Sequence, residues 1–394
     1  MNDFDVGVII VGLLAALGGW RIGFLSRVAS WVGLALGLYL AVRYLPNILN
    51  SLDLTGKTAL AVAVVILLAA AFAGQGIGFA LGSKLHAVLP FGGARTLDRA
   101  VGAASGVVGV LAAVWLLAPA IAAVPGWPSQ LVTRSVIARW VTNETRDLGV
   151  NPPNTLDALG RLVGGDGFPQ VFLQFGPSKD VGNPPGQDPV PTGQLATAAA
   201  STVKVYGQAC GLLQEGSGWA VAPNLVVTNA HVVAGEPAGD TDVLLPDGNV
   251  KPATVVVYNP NVDLALLSVP GLGERSLALA TGYAGEKGAV LGHPNGQDPL
   301  AAQPAEIADW VHAEGKNLYG TLTTYRYIYV LAARLAKGDS GAPLVDSHGQ
   351  VLGIAFAIAP DRATTAYALA VSELRPLLQG PHTQAVSTQG CLDD

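Results

Sequence analysis

Three segments of the chain hold the residue types of a nucleophilic catalyst. His231 lies in GSGWAVAPNLVVTNAHVV, Asp263 in NPNVDLALLSV and Ser340 in KGDSGAPLV. A serine hydroxyl is a weak nucleophile at neutral pH and needs a base beside it. Histidine can take that proton, and an aspartate behind the imidazole fixes its tautomer and stabilises the imidazolium. These residues therefore predict a catalytic triad for acyl transfer.

The glycines around Ser340 predict a sharp turn in the backbone. Such a turn would direct the amides of Gly338 and Ser340 at the oxyanion that forms on a scissile carbonyl. The segment GDSGA also fits the G-x-S-x-G turn of an esterase. That fold orders its triad Ser, Asp, His, whereas the order here is His, Asp, Ser, and little sequence follows Ser340. The order favours the trypsin arrangement.

The elements that would position these residues are short strands. From Ala199 onward the chain contains ten β-type runs separated by Gly, Pro, Asn and Asp: TVKVY, WAV, LVVT, VLL, TVVVY, LALLSV, AVLG, YIYVLAA, PLV and VLGIAFAI. Many short strands with turn signals between them are typical of a sandwich or barrel. About 190 residues suit two small β-barrels side by side, followed by a short helix near 372–378.

The first third of the chain has a different composition. The whole chain is 50% hydrophobic and 13% charged, and a soluble protein carries about 25% charged residues. Four apolar stretches account for the deficit, at about 6–19, 28–42, 58–81 and 100–124. Lengths of this order, with flanking residues added to the first two, predict a bundle of four membrane-spanning helices.

The basic residues near these stretches predict an orientation. Arg21 and Arg27 follow the first stretch, and Lys84, Arg95 and Arg99 lie between the third and fourth. The positive-inside rule places both loops in the cytoplasm, so everything after the fourth span lies outside.

Glycines at four-residue spacing, such as Gly74 and Gly78 or Gly102 and Gly106, predict close helix packing. Gln75 is the one strongly polar residue deep in the third stretch, and no charge interrupts a span's centre. The pattern therefore indicates an anchor, or a platform for a membrane partner, rather than a transport pathway.

A connector over 126–198 joins the two parts. It contains an amphipathic stretch at about 129–148, a second short helix at about 155–163, and a Pro- and Gly-rich linker at 176–193.

The charged, histidine and cysteine residues indicate which partners and bonds to expect. The net charge is −6 and the chain has no run of Lys or Arg, which argues against a nucleic-acid partner. The other histidines are scattered in positions typical of surfaces or turns, so we expect no metal and no cofactor. Both cysteines, Cys210 and Cys391, lie in the segment predicted to be outside, and an oxidising compartment would permit a disulfide between them. Two unpaired thiols are the alternative.

The two parts of the chain resemble two different protein families. Residues 1–125, with an acidic start, a Gly-aromatic-Arg-x-Gly-Phe turn and a Gly-rich second span, resemble the membrane domain of colicin V production proteins. TNAHVV, DLALL and GDSGAP resemble trypsin-like proteases, and GSGWAV with VLGI resembles the HtrA-type branch. This resemblance covers about residues 200–380 of a predicted protease domain that spans 199–394. The combination resembles the membrane-anchored periplasmic serine proteases of actinobacteria that are associated with survival of acid stress. The resemblance implies a chymotrypsin-like double β-barrel and an endopeptidase of extracytoplasmic proteins. A catalytically silent binding domain is the alternative.

The substrate pocket is less defined. Arg334 lies six residues before Ser340, where trypsin-like enzymes place a specificity residue; it either lines the pocket base or points into solvent. The other pocket candidates are Ile354, Ala355 and Phe356. Asp339, which pairs with a freed N-terminus in digestive proteases, needs another partner here or a cleavage upstream.

Overall fold

A computed structural model describes residues 1–51, 56–87, 92–150, 172, 176–273 and 276–392. The chain divides into two compact units. The first comprises Met1–Leu116 with Ser135–Val141, and the second comprises Leu117–Arg134 with Thr142–Asp394.

Four long helices form most of the first unit: α1 (Asp3–Ile22), α2 (Phe24–Ser51), α3 (Gly56–Ala87) and α4 (Gly92–Ala122). Within the described residues, three segments are long and apolar enough to cross a membrane: Asp3–Ile22, Phe24–Ala41 and Gly92–Ala122. The predicted third span, 58–81, falls on α3, and several side chains of that helix lie outside the described residues. The length and composition of these three segments are those of membrane-spanning helices.

Glycines set the distances between these helices. A Cβ on Gly33 of α2 would lie 2.2 Å from the carbonyl oxygen of Gly74 on α3. A Cβ on Gly19 of α1 would lie 2.0 Å from the carbonyl oxygen of Gly102 on α4. No real side chain fits at these distances, so the glycines permit backbone contact between helices, as their spacing predicts.

The amphipathic stretch after the bundle forms two helices rather than one, α5 (Trp127–Thr133) and α6 (Val136–Asp147). Ser135 separates them, and its hydroxyl donates to Asp5 Oδ1 at 2.6 Å. The same carboxylate accepts from the amide of Ile137 in the first turn of α6. Asp5 is thus a buried cap for α6. The predicted helix at 155–163 lies outside the described residues.

The second unit contains two closed six-stranded antiparallel barrels, in the strand orders β1-β2-β3-β6-β5-β4 and β10-β11-β12-β9-β8-β7. A helix, α7 (Thr192–Ala199), precedes the first barrel, and α8 (Val371–Leu374) with a 3₁₀ turn follows the second. The strands are β1 (Thr202–Ala209), β2 (Leu212–Ala222), β3 (Leu225–Thr228), β4 (Thr241–Leu244), β5 (Val250–Asn259), β6 (Leu264–Ser268), β7 (Lys287–Gly292), β8 (Ala301–Lys316), β9 (Thr323–Ala332), β10 (Pro343–Asp346), β11 (Val351–Ile358) and β12 (Thr365–Ala370).

All ten predicted runs contribute to strands, and the double barrel is confirmed. Two strands, β8 and β12, were not predicted. The largest core cluster joins the barrels, because it contains Trp219 and Leu264 of the first together with Ile328 of the second. This shared core fixes the two barrels against each other, and the three predicted catalytic residues come from both of them.

Candidate active site

His231 and Asp263 are joined by two hydrogen bonds. His231 lies in a 3₁₀ turn after β3, and Asp263 directly precedes β6, the neighbour of β3 in the barrel. The imidazole Nδ1 lies 2.7 Å from Asp263 Oδ2, and the His231 amide donates to Oδ1 at 2.9 Å. Asp263 is fully buried, and its own carbonyl accepts from the side-chain amide of Asn229. The carboxylate therefore holds both the ring and the backbone of His231, which is the arrangement a histidine base requires.

Ser340 comes from the second barrel but is held by the first. Its carbonyl accepts from the amide of Ser217 on β2 at 2.7 Å. The next residue, Gly341, has φ +86°, and a Cβ there would lie 2.0 Å from the carbonyl oxygen of Ser217. Only glycine fits this turn. The Gly341 amide donates to the carbonyl of Ala355 on β11, which fixes the other side of the loop.

The peptide groups around Gly338 have a fixed orientation. The carbonyl of Lys337 accepts from the amide of Asn295, and the carbonyl of Gly338 accepts from the Ser217 hydroxyl at 2.6 Å. In a trans peptide the N–H points opposite to the C=O, so the Gly338 N–H faces away from Asn295. Within the described part of the chain, neither this amide nor that of Ser340 has a hydrogen-bond partner. Two free donors flanking a serine are the arrangement of an oxyanion hole.

Asp339 is paired with groups other than a freed N-terminus. Its Oδ2 accepts from the side-chain amide of Gln303 on β8 at 2.7 Å and from the amide of Ala336 at 2.8 Å. Its Oδ1 is buried with no partner among the described residues. Burial raises the pKa of Asp339 to about 6, against the lowering effect of its two hydrogen bonds.

Comparisons with known proteins agree with this geometry. Residues 4–146 match the family model of colicin V production protein, and residues 216–354 match that of the trypsin-like peptidase domain. Serine protease Rv3671c of Mycobacterium tuberculosis is 34% identical over 404 residues, which cover 98% of each chain. The chain belongs to this serine protease family. The family predicted from the motifs is thereby confirmed, and the chain is a serine peptidase of the trypsin-like, HtrA type.

A solved structure and a second curated protease match part of the chain. The crystal structure of the active form of the M. tuberculosis Rv3671c protease is 36% identical and has a TM-score of 0.50. The match covers 55% of this chain and 98% of that chain. A probable periplasmic serine endoprotease, DegP-like, of Chlamydia pneumoniae is 32% identical over 147 residues, which are 36% of this chain and 28% of that protein.

Two residues at this site were not predicted from the sequence as site residues. Ser217 is fully buried, donates its hydroxyl proton to the carbonyl of Gly338 and accepts from the amide of His293. His293 lies in a turn, as expected, but is buried, and its Nδ1 lies 3.0 Å from the carbonyl of Gln297. In the sequence, only the GSGW motif around Ser217 could have indicated its role. Ser217 and Gly338 lie too far apart along the chain for their contact to be predicted from spacing.

The residues predicted to line the substrate pocket differ in their exposure to solvent. Arg334 is exposed, which fits the alternative that its side chain points into solvent. Ile354, Ala355 and Phe356 are at most 1% exposed and belong to core clusters. The buried guanidinium of Arg326 lies 5.8 Å from the centre of the Phe356 ring. Their burial gives the three β11 residues a packing role, and a role in the pocket wall stays a prediction.

Cys210 and Cys391 form a disulfide bond in the structure. The tail that precedes Cys391 lies along the first barrel. The amide of Gly235 donates to the carbonyl of Thr388, and the Thr388 hydroxyl donates to the carbonyl of Glu236. Across the described ranges, no group of three His, Cys, Asp or Glu side chains is placed to hold a metal ion.

Proposed function

We propose that the chain is a membrane-anchored serine endopeptidase of extracytoplasmic proteins, with His231, Asp263 and Ser340 as its triad. The observation that carries the proposal is the pair of hydrogen bonds from His231 to the buried carboxylate of Asp263. A carboxylate held in this way stabilises the imidazolium that forms when Ser340 loses its proton. A silent binding domain has no need of this arrangement.

The proposed reaction uses these groups in turn. Ser340 Oγ attacks the carbonyl carbon of the scissile peptide bond while His231 takes the hydroxyl proton. The amides of Gly338 and Ser340 donate to the oxyanion of the tetrahedral intermediate, and the loss of one such donor typically costs about 3 kcal/mol of barrier. His231 then protonates the leaving amine, and water hydrolyses the acyl-enzyme by the same steps.

The first prediction tests the nucleophile. A fluorophosphonate probe, which reacts with activated serines, should label the purified full-length protein but not Ser340→Ala. His231→Ala should lose labelling and peptide hydrolysis to nearly the same extent, because triad members act as a unit. Ser347→Ala, at an exposed serine of the β10–β11 turn, is the matched control and should keep the full rate. If Ser340→Ala hydrolysed peptides at most of the wild-type rate, the proposed triad would be wrong.

The second prediction concerns the side of the membrane. The basic residues between the apolar stretches support an extracytoplasmic protease part. A cysteine placed at Gly186, where a Cβ meets nothing within 4 Å, should react with a membrane-impermeant thiol reagent on intact cells. A cysteine at Gly93, which has equal space and lies at the start of α4, should react only after lysis. The reverse pattern would place the protease part in the cytoplasm.

The biological role follows from the resemblance to actinobacterial proteases of acid stress. Cells that lack the gene should survive acid exposure less well than the parent strain. Wild-type protein should restore survival, and Ser340→Ala should not, because the proposed role needs proteolysis. Restoration by Ser340→Ala would favour the silent binding domain instead.

A further inference from the structure

The first unit has an open cavity of about 750 Å³ lined by residues of its four long helices. Most of the wall is apolar, with Phe72 and Phe79 from α3 and Val110 and Ala113 from α4. Three polar side chains interrupt this wall: Arg27, Ser30 and Gln75. A mixed wall of this kind is typical of a ligand site rather than of a packing defect.

Arg27 brings a positive charge to the cavity without a matching negative charge. Its guanidinium donates to the carbonyl of Ala15 at 3.0 Å and to that of Gly102 at 3.3 Å. Among the described residues no carboxylate lies within 4.0 Å of it. Ionisable groups within membrane helices are costly, so they usually pair with an opposite charge or belong to a functional site. Here the carbonyl dipoles fix the guanidinium, and its charge remains available.

The other two polar groups extend the same wall. Ser30 lies one turn beyond Arg27 on α2, and Gln75 projects from α3. Within the described ranges, neither side chain has a hydrogen-bond partner. With Arg27 they supply donors for several oxygens of one anionic group.

The position of Arg27 matches the level of a lipid head group. Leu25, two residues earlier, donates its amide to Asp98 near the charged start of α4. Arg27 therefore lies just inside the polar end of the bundle. From Gly106 to Ala113 the cavity follows α4 for about 10 Å at the rise of an α-helix, which is apolar space for an acyl chain.

We propose that this cavity binds an anionic phospholipid of the surrounding membrane. Arg27, Ser30 and Gln75 hold the phosphate, and one acyl chain lies along Val110 and Ala113. A zwitterionic lipid carries its own cation beside the phosphate, so it compensates the charge of Arg27 less well. The bundle is then a lipid-selective receptor as well as an anchor, independently of the activity proposed for the protease part.

The test compares lipid binding to delipidated full-length protein in detergent by native mass spectrometry. Phosphatidylglycerol should bind the wild type about tenfold more tightly than phosphatidylcholine, because a guanidinium–phosphate pair is among the stronger hydrogen-bonded contacts. Arg27→Gln should remove this preference. Arg21→Gln, an equal change of charge at an exposed position of α1, should keep it. Equal losses in the two variants would mean diffuse surface attraction and would overturn the proposal.

A second pair of variants tests the cavity itself. A Cβ on Gly76 meets nothing within 4 Å, so the side chain of Gly76→Leu has room to project into the cavity. Gly12→Leu places the same side chain in equally open space on α1, outside the cavity wall. Gly76→Leu should weaken phosphatidylglycerol binding about tenfold, and Gly12→Leu should not. Retained binding in Gly76→Leu, or displacement of the lipid by inorganic phosphate at comparable concentration, would contradict a lipid site.

Discussion

At the residue scale, Ser217 links the two barrels beside the proposed oxyanion hole. Its amide holds the carbonyl of Ser340, and its hydroxyl lies between the carbonyl of Gly338 and the amide of His293. The side chain touches no reacting atom. It is a positioning residue, because it fixes the peptide that follows Gly338.

The third prediction is that Ser217→Ala lowers kcat by about tenfold or more and changes KM little. The carbonyl of Gly338 would lose a buried hydrogen bond, a loss of about 1–3 kcal/mol, and the oxyanion donors would be less well aligned. The measurement is steady-state hydrolysis of a peptide substrate. Ser201→Ala, another buried serine whose hydroxyl bonds a helix carbonyl, is the matched control and should change stability but not kcat. An unchanged kcat in Ser217→Ala would exclude the positioning role.

At the element scale, the sequence predicted what is locally encoded. The catalytic motifs lie at strand ends, and β-branched runs such as LVVT and TVVVY predict their strands. β8 (Ala301–Lys316) was not predicted because its Ala and Glu residues have low β propensity. It is a strand because it pairs with β7 and β9. β12 (Thr365–Ala370) is likewise rich in alanine. Because Gln303 lies on β8, the partner of Asp339 could not be predicted either.

The C-terminal tail is an element that the disulfide attaches to the first barrel. Besides its contacts with Gly235 and Glu236, the tail donates the amide of Val386 to the carbonyl of Val255 on β5. The Tyr319 hydroxyl donates to the carbonyls of Thr388 and Gly390. The tail is therefore held by backbone and side-chain hydrogen bonds and by one covalent link.

The fourth prediction is that the disulfide stabilises the protease part. The bond joins residues 181 positions apart, and closing such a loop stabilises by at most about 5 kcal/mol in the chain-entropy model. Cys210→Ser should therefore lower the urea midpoint, and Cys391→Ser should lower it equally, because either variant removes the same link. Intact-mass measurement with an alkylating reagent supplies the control: the native wild type should take up no label until it is reduced. Labelling of the unreduced wild type would contradict the bond.

At the scale of the whole molecule, each barrel contains a buried carboxyl group whose pKa is raised. The pKa of Glu236, between β3 and β4, is raised to about 7, mainly by burial and also by the nearby Asp240 and Asp242, while a hydrogen bond from Thr241 opposes the rise. Burial likewise raises that of Asp339 in the second barrel to about 6. Both folded-state values lie above the unfolded values of 4.5 and 3.8. The folded protein therefore binds these protons more tightly than the unfolded chain does.

The sign of the pH dependence follows from this difference. The stabilisation from such a group is fully present below its unfolded pKa and is lost as the pH rises through its folded pKa. For Glu236 and Asp339 the window runs from about pH 4 to pH 7. The two carboxyl groups thus stabilise the folded state more at pH 4 than at pH 7.

The last prediction is that Glu236→Gln stabilises the protease part at pH 7.5 and has little effect at pH 5. The neutral amide keeps the shape of the protonated acid and removes the desolvation of the carboxylate, which for a shift of this size is on the order of 3 kcal/mol. Urea unfolding of residues 176–394, which contain both barrels, measures the free energy of unfolding at both pH values. Glu314→Gln, at an exposed position of β8, is the matched control and should leave the difference between the two pH values unchanged. An equal gain from Glu236→Gln at both pH values would show that Glu236 is not the group that titrates in this window.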